Sequence, residues 1–190
     1  RTYRIISGSK SGWDGRVLGP FTWADVDKLH AVISSKAHVA DAAKNIIPYV
    51  DEKIGPMYWE NLKDLAYDPH TSGQPSKMLR ITFTHVNPLM DGGYLELRRQ
   101  LKEAHEKTDS DDSFTVHQLV HGGNPHTYAQ IYRLNNWADM ASSGPQKGDE
   151  YRVNEVFGER AWDQFISKGQ EIIYKRNDEM RVYMKDYSTR

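Results

Sequence analysis

The sequence predicts an α+β fold: an antiparallel sheet with its helices on one face, preceded by a partial second copy of the same unit. Three observations predict it. The second part of the chain reads strand, helix, strand, strand, helix, strand. The stretch "DPHTSGQPSK" (Asp68 to Lys77) holds two prolines, Gly73 and small polar residues, the composition of a linker. Short segments recur in the same order before and after it.

The elements follow in order. "KMLRITFTHV" (Lys77 to Val86) alternates and is rich in β-branched and apolar residues, so it predicts a strand. "NPLMDGG" breaks it. "YLELRRQLKEAHEK" places Tyr94, Leu97, Leu101 and Ala104 on one helical stripe, with Arg98, Arg99, Lys102 and Glu103 mostly elsewhere. "TDSDDS" is a polar turn that lacks the spacing of a calcium loop. "FTVHQLVH" (Phe114 to His121) and "HTYAQIYRL" (His126 to Leu134) are strands joined by "GGNP", a usual hairpin length. A long helical region is expected from about Trp137 to Arg176, interrupted near "SSGPQKGDE". "EMRVYMKDY" (Glu179 to Tyr187) is a candidate closing strand. This order is the ferredoxin-like βαββαβ pattern, with both helices on one face of the sheet.

The recurrence sets the expected domains: residues 1–67 as a partial first repeat, 68–76 as linker, and 77–190 as a complete repeat. "TYRIIS" (Thr2 to Ser7) echoes "TYAQIY" (Thr127 to Tyr132). "TWADVDKL" (Thr22 to Leu29) echoes "NWADMASS" (Asn136 to Ser143), and "ENLKDLAY" (Glu60 to Tyr67) sits where "VYMKDYS" (Val182 to Ser188) sits. On this mapping the first repeat lacks its opening strand, helix and strand. Such a unit leaves a sheet edge to be covered by upstream residues or by a partner chain. The competing account is that aromatic residues open both helices and nothing more is shared.

Composition excludes several classes. The chain has 190 residues, 27% charged and 38% apolar, with a net charge of −1, which is ordinary for a globular domain. No basic stripe points to nucleic acid, and no apolar run reaches the roughly 20 residues of a membrane span. Cysteine is absent, so disulfides, thiolate ligands and a cysteine nucleophile are excluded. The chain begins at Arg1 rather than Met. Export with signal removal accounts for this, as does trimming, and an exported location is favoured over a cytoplasmic one. Phosphate loop, dinucleotide fingerprint and nucleophile elbow are all missing.

The segments "RITFTHVNPLMDGGYLELRRQLKEAHEK", the hairpin, and "IYRLNNWADM" resemble the dimeric α/β-barrel superfamily, which includes antibiotic-biosynthesis-type monooxygenases and NIPSNAP-like proteins. The resemblance is that of uncharacterised, often tandem, bacterial members. It covers residues 77–190 well and 1–67 in part. It implies two sheets facing each other around a pocket, and hence a homo-oligomer or a sheet-edge partner. Members degrade haem, oxidise quinol-like aromatics without a cofactor, or have no known activity, so fold alone does not select a function.

The histidines supply the candidate site. Pairing the hairpin symmetrically across "GGNP" sets His121 opposite His126, Leu119 opposite Tyr128, His117 opposite Gln130, and Thr115 opposite Tyr132, all on one face. That face is a candidate pocket lined by His117, Leu119, Tyr128, Gln130 and Tyr132, with His85 on the first strand as a further member. His117 is the candidate acid or base, since histidine titrates near neutrality. His117 and His121 stand about 13 Å apart on a strand at roughly 3.3 Å per residue, so one ion cannot take both. No metal is expected. Haem is not expected either: Asn87 before Pro88 reads as a turn residue, Trp137 opens a helix, and no histidine matches a haem-ligand position.

Two functions follow. One is a small-molecule-binding or self-assembling protein without catalysis. The other is a cofactor-independent monooxygenase-like enzyme acting on an aromatic or quinol-like substrate on the sheet face. A small apolar or aromatic ligand suits both.

Overall fold

The computed structural model describes residues 1–50, 55–69, 75–142 and 148–188. Its elements are β1 (Thr2–Ile5), β2 (Asp14–Arg16), α1 (Trp23–Ile33), α2 (Lys36–Asn45), β3 (Tyr58–Asn61), β4 (Met78–Val86), α3 (Asp91–Lys107), β5 (Phe114–His121), β6 (Thr127–Leu134), α4 (Asp149–Phe157), α5 (Ala161–Ile172) and β7 (Ile173–Tyr183). Part of the expected linker, residues 70–74, lies outside the described residues, as do 143–147 within "SSGPQKGDE".

The chain divides into two compact units, 1–16 with 57–190, and 17–56. The larger unit is a mixed α/β structure around one seven-stranded sheet in the order β2-β1-β7-β4-β6-β5-β3, every pair antiparallel. Strands β1, β2 and β3, all from the first 67 residues, join the same sheet as the strands after the linker. Among the described residues the smaller unit holds α1, α2 and a 3₁₀ turn (Ile47–Tyr49), and no residue of these helices is buried.

Helix α3 forms where the stripe predicts and buries Tyr94, Leu97, Leu101 and Ala104. It starts at Asp91, whose carboxylate suits the positive end of the helix dipole. Gly93 lets the side chain of Ile172 pack close to α3, since a Cβ there would stand 2.9 Å from Ile172 Cδ1 and move it aside. The helices α3, α4 and α5 share one core with Val86, Phe114, Val116, Tyr128 and Tyr132, so those strand residues mark the helix-covered face of the sheet. A second cluster of Tyr3, Leu79, Ile81 and Ala129, with Trp59, Phe83, Ile131 and Tyr183 packed against it, contains no helical residue and marks the opposite face.

Two expectations are corrected here. The long helical region is instead a 3₁₀ turn (Trp137–Ser142), α4 and α5, with Gly158 at φ 105° ending α4. The closing strand then begins at Ile173, not Glu179, and runs beside β4 from Ile173↔Val86 to Val182↔Met78. Its segment "KRND" (Lys175 to Asp178) is polar and of low intrinsic strand preference, and the strand is held by pairing that local propensity does not report.

The recurring Trp-Ala-Asp letters share a local task. Asp25 accepts from the Thr22 N–H (3.1 Å) and hydroxyl in a capping box at the start of α1. Asp139 accepts from the N–H groups of Asn135 (2.6 Å) and Asn136 (3.3 Å) at the start of the 3₁₀ turn. In each case the aspartate satisfies donors that a helical start leaves open.

Candidate functional site

The hairpin register decides what the predicted site residues can do together. Observed pairs are Phe114↔Tyr132, Thr115↔Ile131, Val116↔Gln130, His117↔Ala129 and Gln118↔Tyr128. This is one residue away from symmetric pairing across "GGNP". Because side chains alternate, a one-residue shift moves every β6 side chain to the other face relative to β5. Gly122 at φ 90° and Asn124, whose side chain accepts from the His126 N–H (3.0 Å), shape an asymmetric connection. The chosen register buries the large rings: Tyr128 is fully buried, with its ring 4.4 Å from that of Tyr94.

The predicted pocket residues therefore separate. His117 and Leu119 lie with His85 on the face away from the helices. Tyr128, Gln130 and Tyr132 lie under the helices. On the open face, His117 Nε2 is 3.0 Å from Thr115 Oγ1. Burial, helped by the Arg133 charge, pushes the His117 pKa down to about 4, so the ring is neutral at pH 7. His85 Nδ1 is 3.1 Å from Thr127 Oγ1, and its pKa is also lowered by burial and then by Lys175. His126 is drawn away from His121 to Asp91, with Nδ1 2.7 Å from the carboxylate, and the Tyr128 hydroxyl donates to the other oxygen of Asp91 (2.7 Å). Among the described residues, no three His, Asp or Glu side chains are grouped as a metal site would need. Asn87 holds the end of α5, its side chain donating to the Glu171 carbonyl (3.0 Å).

The helix-covered face carries the more developed arrangement. Arg98 Nη1 donates to Gln130 Oε1, and Gln130 Nε2 donates to the Tyr132 hydroxyl (2.8 Å). The Arg80 guanidinium lies over the Tyr132 ring, 4.3 Å from its centroid. Beside them is a cavity of ≈ 380 Å³ lined by Arg80, Tyr132, Leu134, Met140, Asp149 and Trp162, among others. At its margin His105, fully buried, sits with Nδ1 2.9 Å from Ser110 Oγ and Nε2 3.0 Å from Asp149 Oδ1.

The electrostatics fix the charge states around this cavity. Burial acts against the Asp149 carboxylate. The hydrogen bond and attraction to His105, with the charges of Arg98 and Arg80, outweigh it and hold its pKa below the usual range. An ionised Asp149 is an acceptor, so the His105 Nε2–H donates to it. Burial, reinforced by Asp149, raises the Tyr132 phenol well above its ordinary value despite the opposing arginines, so the hydroxyl keeps its proton.

Sequence reasoning missed Arg80, His105, Asp149 and Trp162. One signal was present. The alternation in β4 that puts Leu79, Ile81 and Phe83 on one side puts Arg80, Thr82 and Thr84 on the other, and that polar side is the one under the helices. A cavity lies at its Arg80 end.

No family model matches the chain, and no curated protein does. A solved structure described as "Crystal structure study of anthrone oxidase-like protein" matches with a TM-score of 0.51 at 13% sequence identity, over 96% of this chain and 76% of that chain. At that identity the likeness carries the fold alone: a mixed α/β, barrel-like architecture. No helix among the described residues is long and apolar enough to cross a membrane.

Proposed function

We propose that the protein binds a small aromatic molecule in the cavity between the Arg80–Tyr132 face of the sheet and the start of α4 and α5, without transforming it. The single observation that carries this is the ≈ 380 Å³ cavity, whose lining mixes the apolar Leu134, Met140 and Trp162 with charged and polar groups such as Arg80, Asp149 and Tyr132. Small-ligand sites are of this size and mixed character, roughly 300–1,000 Å³. The groups around it are poorly suited to proton transfer at neutral pH. Asp149 is held ionised and is a weak base, Tyr132 is held protonated, and His105 has both ring nitrogens engaged. His117, the candidate acid or base, is on the other face.

The second reading is a cofactor-independent oxygenase with an aromatic or quinol-like substrate. What favours it is the fold shared with a protein described as anthrone oxidase-like. We also read β4-α3-β5-β6-α4/α5-β7 as a ferredoxin-like unit, supported by its strand order β7-β4-β6-β5. The first 67 residues are read as a partial copy. A second copy of the chain is proposed to meet the apolar face of Tyr3, Ile81, Phe83 and Trp59, since the sheet's own edges are the short strands β2 and β3.

The deciding experiment is a titration with naphthalene-based ligands, followed by tryptophan fluorescence, on the wild type and on Met140→Trp, which fills the cavity. Saturable binding lost in Met140→Trp supports the reading, and binding that survives the filled cavity sinks it. Oxygen uptake with an anthrone or hydroquinone that disappears in Asp149→Asn or His117→Ala would transfer the assignment to the oxygenase. Light scattering giving a monomer at all concentrations would remove the second copy.

A further inference from the structure

We infer that the ligand of this cavity is an uncharged planar molecule bearing a carbonyl-type hydrogen-bond acceptor, and that Arg80 is the donor that selects it. The inference rests on cavity binding as proposed above and adds the polarity and charge of what is bound.

The first observation is a guanidinium with nothing to hold. Arginine carries five N–H donors. Among the described residues the Arg80 side chain makes no hydrogen bond and has no carboxylate within ion-pair distance; its guanidinium lies over the Tyr132 ring, 4.3 Å from the centroid. Its Nε is sealed from solvent and unpartnered, so the donors that can reach a bound molecule are the N–H groups on Nη1 and Nη2. The side chain is nevertheless well placed. Its backbone is clamped between Tyr132 on β6 and Met180 on β7, and Tyr132 is itself fixed by Gln130. A donor set held this firmly, beside a cavity, lacks only an acceptor.

The second observation is the charge of the lining, which separates an anionic acceptor from a neutral one. Arg80 and Arg176 face four carboxylates, Asp112, Asp139, Asp149 and Glu150. Three of these are committed elsewhere: Asp149 to His105, Asp139 to the Asn135 and Asn136 N–H groups, and Asp112 to Ser110 with Arg152 3.6 Å away. None neutralises Arg80 by contact, and with Arg152 beside Asp112 and Arg98 acting on Asp149, four arginines stand against the four carboxylates, so the surroundings of the cavity are balanced in charge. An anion would satisfy Arg80 and leave this balanced site with one uncompensated negative charge. A carbonyl oxygen satisfies Arg80 and adds no charge. The apolar part of the lining, including Trp162 stacked on Phe165 (5.1 Å, 9° between planes), suits a flat ring system carrying that oxygen.

The test uses three probes of one shape: 2-acetylnaphthalene, 2-ethylnaphthalene and 2-naphthoate, titrated against the full chain. The ketone is expected to bind about tenfold more tightly than the hydrocarbon, the effect of one hydrogen bond to a charged donor, with naphthoate weaker than the ketone. In Arg80→Met the ketone should fall to the level of the hydrocarbon, whose own affinity stays within about twofold. Arg80→Lys, which keeps the charge but loses the planar fork, should retain part of the preference; it and the wild-type ranking decide the matter if Arg80→Met does not fold. Equal binding of ketone and hydrocarbon, tighter binding of naphthoate, or a preference that survives Arg80→Met overturns the inference while leaving cavity binding intact. Failure of all three probes to bind overturns both.

Discussion

The two faces of the sheet are built from the same strands and solve different problems. Under the helices, Phe114, Val116, Tyr94 and Tyr128 are fully buried, and the polar groups among them are largely engaged: Arg98 to Gln130 to Tyr132, Tyr128 to Asp91, and His105 to Ser110 and Asp149. On the other face, Leu79, Ile81 and Ala129 are buried while Phe83, Ile131, Trp59 and Tyr183 are only partly so. Its histidines, His117 and His85, each have one short contact to a threonine hydroxyl. The contrast teaches that polarity in the sequence does not locate the solvent side of a sheet. The face with Thr82, Gln130 and Tyr132 is the deeper one, because these polar groups have partners.

The largest effect should come from the deep face. Phe114 touches the rings of Tyr67, His105 and Tyr132. Phe114→Ala should cost about 3–5 kcal/mol in urea unfolding, by lost burial and a residual cavity. Phe83→Ala, on the other face, should cost no more than about 2 kcal/mol. Equal losses would erase the contrast.

Next is Asp149→Asn. Losing the charged acceptor of a buried hydrogen bond should cost about 1–3 kcal/mol at pH 7. Asp149 has a lowered folded pKa, so its contribution is complete above the unfolded value near 3.9 and is lost as pH falls through the folded value. The stability gap between wild type and mutant should therefore close below about pH 4. A gap that persists at pH 2 would assign the loss to packing.

His117 sharpens the comparison from the opposite face. Its folded pKa of about 4 lies below the unfolded value near 6.5, so between these values the unfolded chain binds the proton first. Stability should fall as pH drops through that window and be unaffected by this group above it, and His117→Gln should flatten the slope. An NMR titration midpoint near 6.5 would place the ring in water instead. The smallest effect belongs to His85→Ala. It removes one half-exposed hydrogen bond to Thr127, about 0.5–1 kcal/mol in the same unfolding measurement.

Much of the fold was legible because its signals are local. The stripe Tyr94, Leu97, Leu101, Ala104 gave α3, and β-branched alternation gave β4, β5 and β6 nearly to their ends. Strand β7 was half hidden, since Lys175 to Asp178 carry no local preference for a strand and are placed by long-range pairing. The site was less legible still. Alternation along β5 separates Phe114 and Val116, which pack under the helices, from His117 and Leu119. Carrying it across the turn failed by one residue, because Gly122 and Asn124 shape a connection whose length in residues does not reveal its register. The cavity needs α4 and α5 placed over Arg80, and no spacing in the sequence encodes that.

Strand β1 enters the sheet by pairing Tyr3 with Tyr183, and Thr2 is tied to the far end of the chain, its N–H donating to Ser188 Oγ (2.8 Å) and its hydroxyl to the Tyr187 carbonyl (2.8 Å). The β5–β6 hairpin closes a short loop, whereas this contact closes one spanning nearly the whole sequence, and such closure is slow and costly in chain entropy. On contact order, the hairpin and β4 are expected to organise early with α3, and β1 with β2 to join last. The same two strands are the first to be released, so the amide of Tyr3 should exchange with solvent through partial openings that leave Ile81, at the sheet's centre, protected.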